Sequence, residues 1–185
     1  MSEANPWKRL DSRTVYTNPW MTVREDRVIR PDGKEGIYGV VQTRIATGVV
    51  ALTPELEVYF VGQYRYPTDV YSWEIVQGGT DESESPLVAC QRELQEEAGL
   101  IAKSWRQLGG EVHLSNCISS ERGFIYLAED LTHTEATPDG TEVLQVKTVP
   151  IREAVRMATN GEIVDAVSVI GILLAEKRLI EHGRL

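Results

Sequence analysis

The sequence predicts an α/β sandwich of mixed β-sheets, and three observations carry the prediction. Short β-like stretches separated by turn residues fill most of the first 76 positions and resume after Leu100. One amphipathic helix sits among them, bracketed by Ser85-Pro86 and Gly99. Two further helical patterns close the chain, over residues 151–158 and 164–180.

The N-terminal elements read as strands. After a polar start over residues 1–6, the stretches 14–16 and 21–29 are β-like, and Pro31-Asp32-Gly33 is a turn because Pro presets φ and Gly supplies a positive one. Residues 37–41 return as a strand. Residues 48–52, a Thr53-Pro54-Glu55 turn and residues 58–64 are expected to form a second hairpin, and 72–76 one strand running into Gly78-Gly79. The central helix has a mechanism at both ends. Ser85 can cap it, Pro86 suits its first position, and Gly99 takes the left-handed conformation that stops a helix. Further strands are expected over 105–108, 111–114, 123–128 and 142–149, with a polar loop over 132–141 marked by Pro138-Asp139-Gly140. The helix over 151–158 is closed by Asn160-Gly161.

The chain has 185 residues, enough for one sizeable core. Apolar residues make up 42% and charged residues 25%, the balance expected of a soluble globular protein. The net charge is −9, from 19 basic against 28 acidic residues, which argues against nucleic acid as a partner. No signal peptide or membrane-spanning run stands in the sequence, so a cytoplasmic protein without a membrane partner is expected. Cys90 and Cys117 lack metal or redox spacing. The three histidines share no ligand spacing and receive no role.

The chemistry lies on the central helix. With Leu94 as reference, Leu87, Cys90 and Ala98 form one apolar stripe, at about 100° per residue. Glu97, Glu93 and Glu96 then share a single acidic flank beside it, and Glu84 adds a fourth carboxylate just before the helix. Like charges four residues apart repel by about 0.2–0.5 kcal/mol per pair. A solvated acidic face is the ordinary explanation of such a run. The glycine turn at Gly78-Gly79, able to approach a phosphate, favours the other one: Mg²⁺, or Mn²⁺, held by carboxylates and substrate oxygens.

Gly78, Glu84 and the run Arg92-Glu93-Leu94-x-Glu96-Glu97-x-Gly99-Leu100 match the Nudix box at every specified position. Chance gives that match on the order of 10⁻¹⁰ per starting position. The chain therefore resembles the Nudix hydrolases, an α/β/α sandwich of mixed sheets around the box helix. Val61-Gly62-Gln63-Tyr64-Arg65 and Trp73-Glu74-Ile75 resemble the ADP-ribose pyrophosphatase and nucleoside-diphosphate-sugar hydrolase branch, as do later segments as far as Val149-Pro150-Ile151. The branch often carries Pro-Ala-Gly where this chain has Val76-Gln77-Gly78. The Gln-Gly-Gly turn also resembles dinucleoside-polyphosphate and cap-type hydrolases.

The resemblance implies a metal-dependent pyrophosphohydrolase acting on ADP-ribose or a related nucleotide sugar, with a dinucleoside-polyphosphate or capped-end hydrolase and a non-catalytic nucleotide-sugar sensor as alternatives. It implies a domain over residues 46–185 and an N-terminal arm over 1–45 that joins a homodimer and helps bind the nucleoside. Glu93, Glu97 and Glu96 are the expected metal ligands, with the backbone carbonyl of Gln77 beside them and Glu84 as an outer or weaker one. Arg92 is expected to orient a neighbouring box carboxylate. Gly78 and Gly79 are expected to line the phosphate. Arg65 either forms a structural ion pair or clamps the diphosphate. Tyr16, Trp20 and Tyr38 either pack or stack on the base. For the catalytic base, Glu142 after the Pro138-Asp139-Gly140 turn is preferred over Glu135, with Glu96 as the alternative in the box.

Overall fold

A computed structural model describes residues 4–137 and 143–185. Two compact units emerge, one of residues 1–44 and 113–122, the other of 45–112 and 123–185.

The first unit is built on a three-stranded antiparallel meander, β1 (Lys8–Thr17), β2 (Met21–Ile29) and β3 (Glu35–Thr43). β2 spans the expected residues, while β1 and β3 start earlier and end later than the sequence suggested. Every residue of β1 is exposed, so β1 has no burial alternation that would have revealed its length. The Pro31-Asp32-Gly33 turn is present, with the Gly33 amide donating to the Arg30 carbonyl at 2.9 Å. The segment around Ile118 returns to β3, where the Val41 amide donates to the Ile118 carbonyl.

The second unit holds two sheets and three helices. One sheet has the order β7-β4-β9-β8, from Val76–Gly79, Ala46–Ala51, Arg122–His133 and Leu100–His113. It is mixed: β4 runs antiparallel to β7 and parallel to β9. The other has the order β10-β5-β6, from Gln145–Pro150, Glu57–Arg65 and Val70–Glu74. The hairpin expected from residues 48–52 and 58–64 does not form. β4 and β5 belong to different sheets and share only the bridge Leu52–Val58. Residues 49–52 and 58–61 are apolar and largely buried on both faces, so each lies in an inner strand, and Leu56 at φ 61° swings the chain between sheets. The expected strand over 72–76 likewise splits at Ile75, whose amide donates to the Ser168 hydroxyl at 3.0 Å instead of to a strand. Conversely, Gly109-Gly110 does not break β8, which runs as one strand of 14 residues.

The box helix α1 spans Pro86–Ala98. Ser85 accepts from the Val88 amide at 3.3 Å, and Gly99 ends the helix at φ 62°, ψ 41°. Its apolar stripe packs on β4 and β7 in a cluster of Val49, Ala51, Val76, Cys90, Leu94, Leu100 and Ala128. Side chains alternate across a strand, so Gly48 and Val50 face the opposite side of β4. There α3 (Ala166–Glu181) packs, its Val167 and Gly171 against Gly48 and Val50. The sheet thus lies between two helices. Asp165 caps α3 by accepting from the Ser168 amide at 2.7 Å, and α2 (Ile151–Thr159) follows β10 directly. Among the described residues no helix is long and apolar enough to cross a membrane.

Candidate active site

Three features of the second unit converge: the end of β7, the loop before α1, and the acidic flank of α1. Most of the flank is buried rather than solvated, with Glu96 partly exposed. Glu93 is 9% exposed and Glu97 3%, because α1 lays that side against β7. Buried carboxylates need strong partners, since an uncompensated one is costly.

Arg92 supplies much of that compensation. Its guanidinium donates to both oxygens of Glu84 at 3.1 and 3.0 Å, to Glu93 at 2.7 Å and to Glu96 at 2.9 Å. It also donates to the Gly79 carbonyl at 2.9 Å, tying the helix to the glycine turn. The expected pair with one carboxylate is thus a hub for three. These contacts, that to Glu84 foremost, push the already high Arg92 pKa higher still. The same hydrogen bond holds the Glu84 carboxyl below its ordinary value, against the opposing pull of burial.

The glycine turn is shaped by the carboxylates above it. A Cβ on Gly78 would lie 2.0 Å from Glu93 Oε1, so any side chain here would displace the Glu93 carboxylate. Thr47 donates from its hydroxyl to the Gly78 carbonyl at 3.1 Å, fixing the turn from β4. One residue earlier, the Gln77 amide donates to Glu97 Oε2 at 3.2 Å.

A second ionic cluster adjoins it. Glu74, 2% exposed, accepts from the Arg65 guanidinium at 3.0 and 3.1 Å and through a further, short contact. Burial alone would raise the Glu74 pKa, but Arg65, Ser72 and Gln77 outweigh it and the net direction is down. Arg65 is therefore engaged in an ion pair. Glu74 was not singled out by sequence reasoning. Its signal was a lone charge in the otherwise apolar run Trp73-Glu74-Ile75-Val76.

The remaining candidates divide. Tyr16, Trp20 and Tyr38 belong to the first unit. Trp20 is 71% exposed and Tyr16 53%, so their rings are available for contact. Tyr38 instead donates to the Cys117 carbonyl at 2.7 Å and meets Trp7 edge-on at 5.2 Å. Glu142 lies outside the described residues, as do 138–141. Glu135 is exposed.

Among the described residues, no three acidic, His or Cys side chains already surround one point as metal ligands. The reason is geometric, because Glu84, Glu93 and Glu96 direct oxygens at Arg92. The donor chemistry nonetheless suits a hard divalent cation. Four carboxylates, two of them buried, gather beside a strand stripped of side chain at Gly78. A cation bound there would share these carboxylates with Arg92.

Residues 42–168 match the family model described as the NUDIX domain. The chain belongs to the Nudix family. Residues 7–41 match a second model, described as the nucleoside diphosphate sugar hydrolase N-terminal domain. An ADP-ribose pyrophosphatase of Mycobacterium tuberculosis is 30% identical over 171 residues, covering 90% of this chain and 82% of that protein. An ADP-ribose pyrophosphatase of Bacillus subtilis is 26% identical, covering 89% and 90%. A crystal structure of an ADP compounds hydrolase superposes over the full length of both chains with a TM-score of 0.88 at 22% identity, a likeness of fold. This Nudix chain keeps every glutamate of the box, and it is a hydrolase of phosphoanhydride bonds. Enzymes of the family work with a divalent cation.

Proposed function

We propose that this Nudix hydrolase cleaves the diphosphate of ADP-ribose, or of a closely related nucleoside diphosphate sugar, to a nucleoside monophosphate and a sugar phosphate. The observation that carries the reading is an unbroken box in which Arg92 gathers Glu84, Glu93 and Glu96 and reaches the Gly79 carbonyl, with Glu97 held at the adjoining Gln77 amide. Similarity to ADP-ribose pyrophosphatases along nine-tenths of the chain supports the substrate class.

Glu93, Glu97 and Glu96 are the proposed ligands of Mg²⁺, which Mn²⁺ could replace. Glu84 is bound to Arg92 through both oxygens, which suits it to the outer role. An extended residue directs its N–H and C=O to the same side of the strand. The Gln77 amide points at Glu97, so its carbonyl faces the carboxylates and is a further proposed ligand. A cation held there would neutralise the bridging phosphates and activate a water. The chain's own residues do the rest. Arg92 holds the carboxylates in register, and Gly78 and Gly79 leave room for the diphosphate. Trp20, Tyr16 and Tyr38 are the proposed aromatic contacts of the nucleoside. The attacking water gives its proton to a carboxylate, a P–O bond forms, and the anhydride P–O bond breaks towards the leaving phosphate. Glu142 is the proposed acceptor of that proton, with Glu96 as the alternative.

A panel of nucleoside diphosphate sugars and dinucleoside polyphosphates with Mg²⁺ tests the reading, with phosphate released by a coupled phosphatase as the signal. ADP-ribose or another nucleotide sugar should be turned over fastest. Preference for dinucleoside polyphosphates, with nucleotide sugars left intact, would overturn it.

A further inference from the structure

The Gln77 side chain belongs to one ionic cluster while its backbone belongs to the other. Its Nε2 amide donates to Glu74 Oε2 in a short contact, and Glu74 is itself gripped by Arg65. Its backbone amide donates to Glu97 Oε2. Glu74 is buried, and its carboxylate is tied on several sides, so it forms a fixed post rather than a mobile partner. Nothing in the strand register requires this link. Gln77 stands opposite Gly48 in the β4–β7 pair, and its neighbours Val76 and Gly78 pair with Val49 and Thr47. β7 is only four residues long and starts immediately after Ile75, where the chain leaves one sheet for another. A short strand beginning at a crossover has few ladder hydrogen bonds to hold its peptide planes. A side-chain anchor at its second residue therefore matters.

We propose that Gln77 is a positioning residue: its side chain, moored to the Arg65–Glu74 pair, sets the peptide plane that orients Glu97 for the metal. The inference rests on the reading of Glu97 as a ligand. Outer hydrogen-bond partners commonly fix ligand orientation, and their loss costs about 10–100-fold in metal affinity. In this chain the outer partner acts through a peptide group, so the effect belongs at the lower end of that range.

Gln77→Met tests the inference, because Met keeps the length and bulk of the side chain but cannot donate. Mn²⁺ binding to the full-length protein without substrate is read from the loss of the free Mn²⁺ paramagnetic resonance signal. Thermal unfolding in metal-free buffer runs in parallel. Gln77→Met should weaken Mn²⁺ binding about tenfold while the metal-free melting temperature stays near wild type. With substrate, kcat should recover at saturating metal and the metal concentration for half-activity should rise, a split that simple loosening of the fold would not give. Glu74→Gln should weaken Mn²⁺ in the same direction, and the double variant should be no weaker than the worse single one, as expected of residues in one chain of contacts. Mn²⁺ affinity of Gln77→Met within twofold of wild type overturns the inference alone, as do effects of the two substitutions that multiply. Wild-type protein that binds no Mn²⁺ overturns the metal-site reading and this inference with it.

Discussion

Glu97 is the residue on which the proposed chemistry turns most directly. At 3% exposure it is the most buried of the box glutamates, and its orientation is set by a backbone amide. Glu97→Gln keeps that hydrogen bond and removes one charge. Turnover should fall at least about a hundredfold at saturating Mg²⁺, with the melting temperature little changed. Wild-type kcat in this variant would remove Glu97 from the ligand set. The base makes a separate test. General-base catalysis is worth about 10²–10⁴-fold, so Glu142→Gln should lower kcat by that factor and leave metal and substrate affinity unchanged. A fall below about tenfold transfers the role to Glu96, which Arg92 holds at 2.9 Å. Much of this site could be read in the sequence, because the box spacing alone put Glu93, Glu96 and Glu97 on one flank. What it hid was burial. A helical projection gives angles around an axis, but only the approach of β7 turns that flank inward.

At the scale of elements, packing between α3 and β4 depends on small residues. A Cβ on Gly48 would lie 2.5 Å from Val167 Cγ1. Gly48→Val should therefore cost about 1–3 kcal/mol by overpacking, measured by denaturant unfolding. A cost under about 0.5 kcal/mol would mean that α3 can shift freely on the sheet. The β5–β6 pair offers a pH test. Glu74 titrates below its ordinary value in the folded state, so its contribution is present above the unfolded pKa, about 4.3, and is lost as pH falls through the lower folded value. Wild type should melt higher than Glu74→Gln at pH 7, and the gap should close as pH drops through 4 toward 3. A gap constant over that range would show that the ionised carboxylate is not what stabilises the pair. Neither feature was visible in the chain order, since Gly48 meets Val167 and Arg65 meets Glu74 only after the sheets form.

For the whole molecule, we propose a homodimer joined through the N-terminal strands. β1 is exposed along its whole length and forms an edge of its sheet, while Trp20, Ile37 and Tyr16 stand 71%, 68% and 53% exposed. Exposed strand edges and apolar side chains of this kind invite a partner. Light scattering at micromolar concentration should give twice the chain mass, and deletion of residues 1–17 should return a monomer. A monomeric mass for the intact chain would end the proposal.

By itself the sequence determined the box, the helix that carries it and the class of chemistry, because capping residues, helical periodicity and ligand spacing are local. Ser85, Pro86 and Gly99 fix α1 wherever it is packed. Tertiary structure decided which strands pair. The stretch 48–64 reads as a hairpin, yet burial on both faces sends β4 and β5 to separate sheets, and Ile75 gives its amide to Ser168 where one strand was expected. It also drew Arg65 into a pair with Glu74 and brought Glu84 to Arg92 beside the helix's own Glu93 and Glu96. Glu74 lies nine residues from Arg65 and Glu84 eight from Arg92, on other elements or at their junctions, and no local rule brings those two pairs together. The energy of a buried charge depends on what surrounds it, and that is settled only when the sheets close.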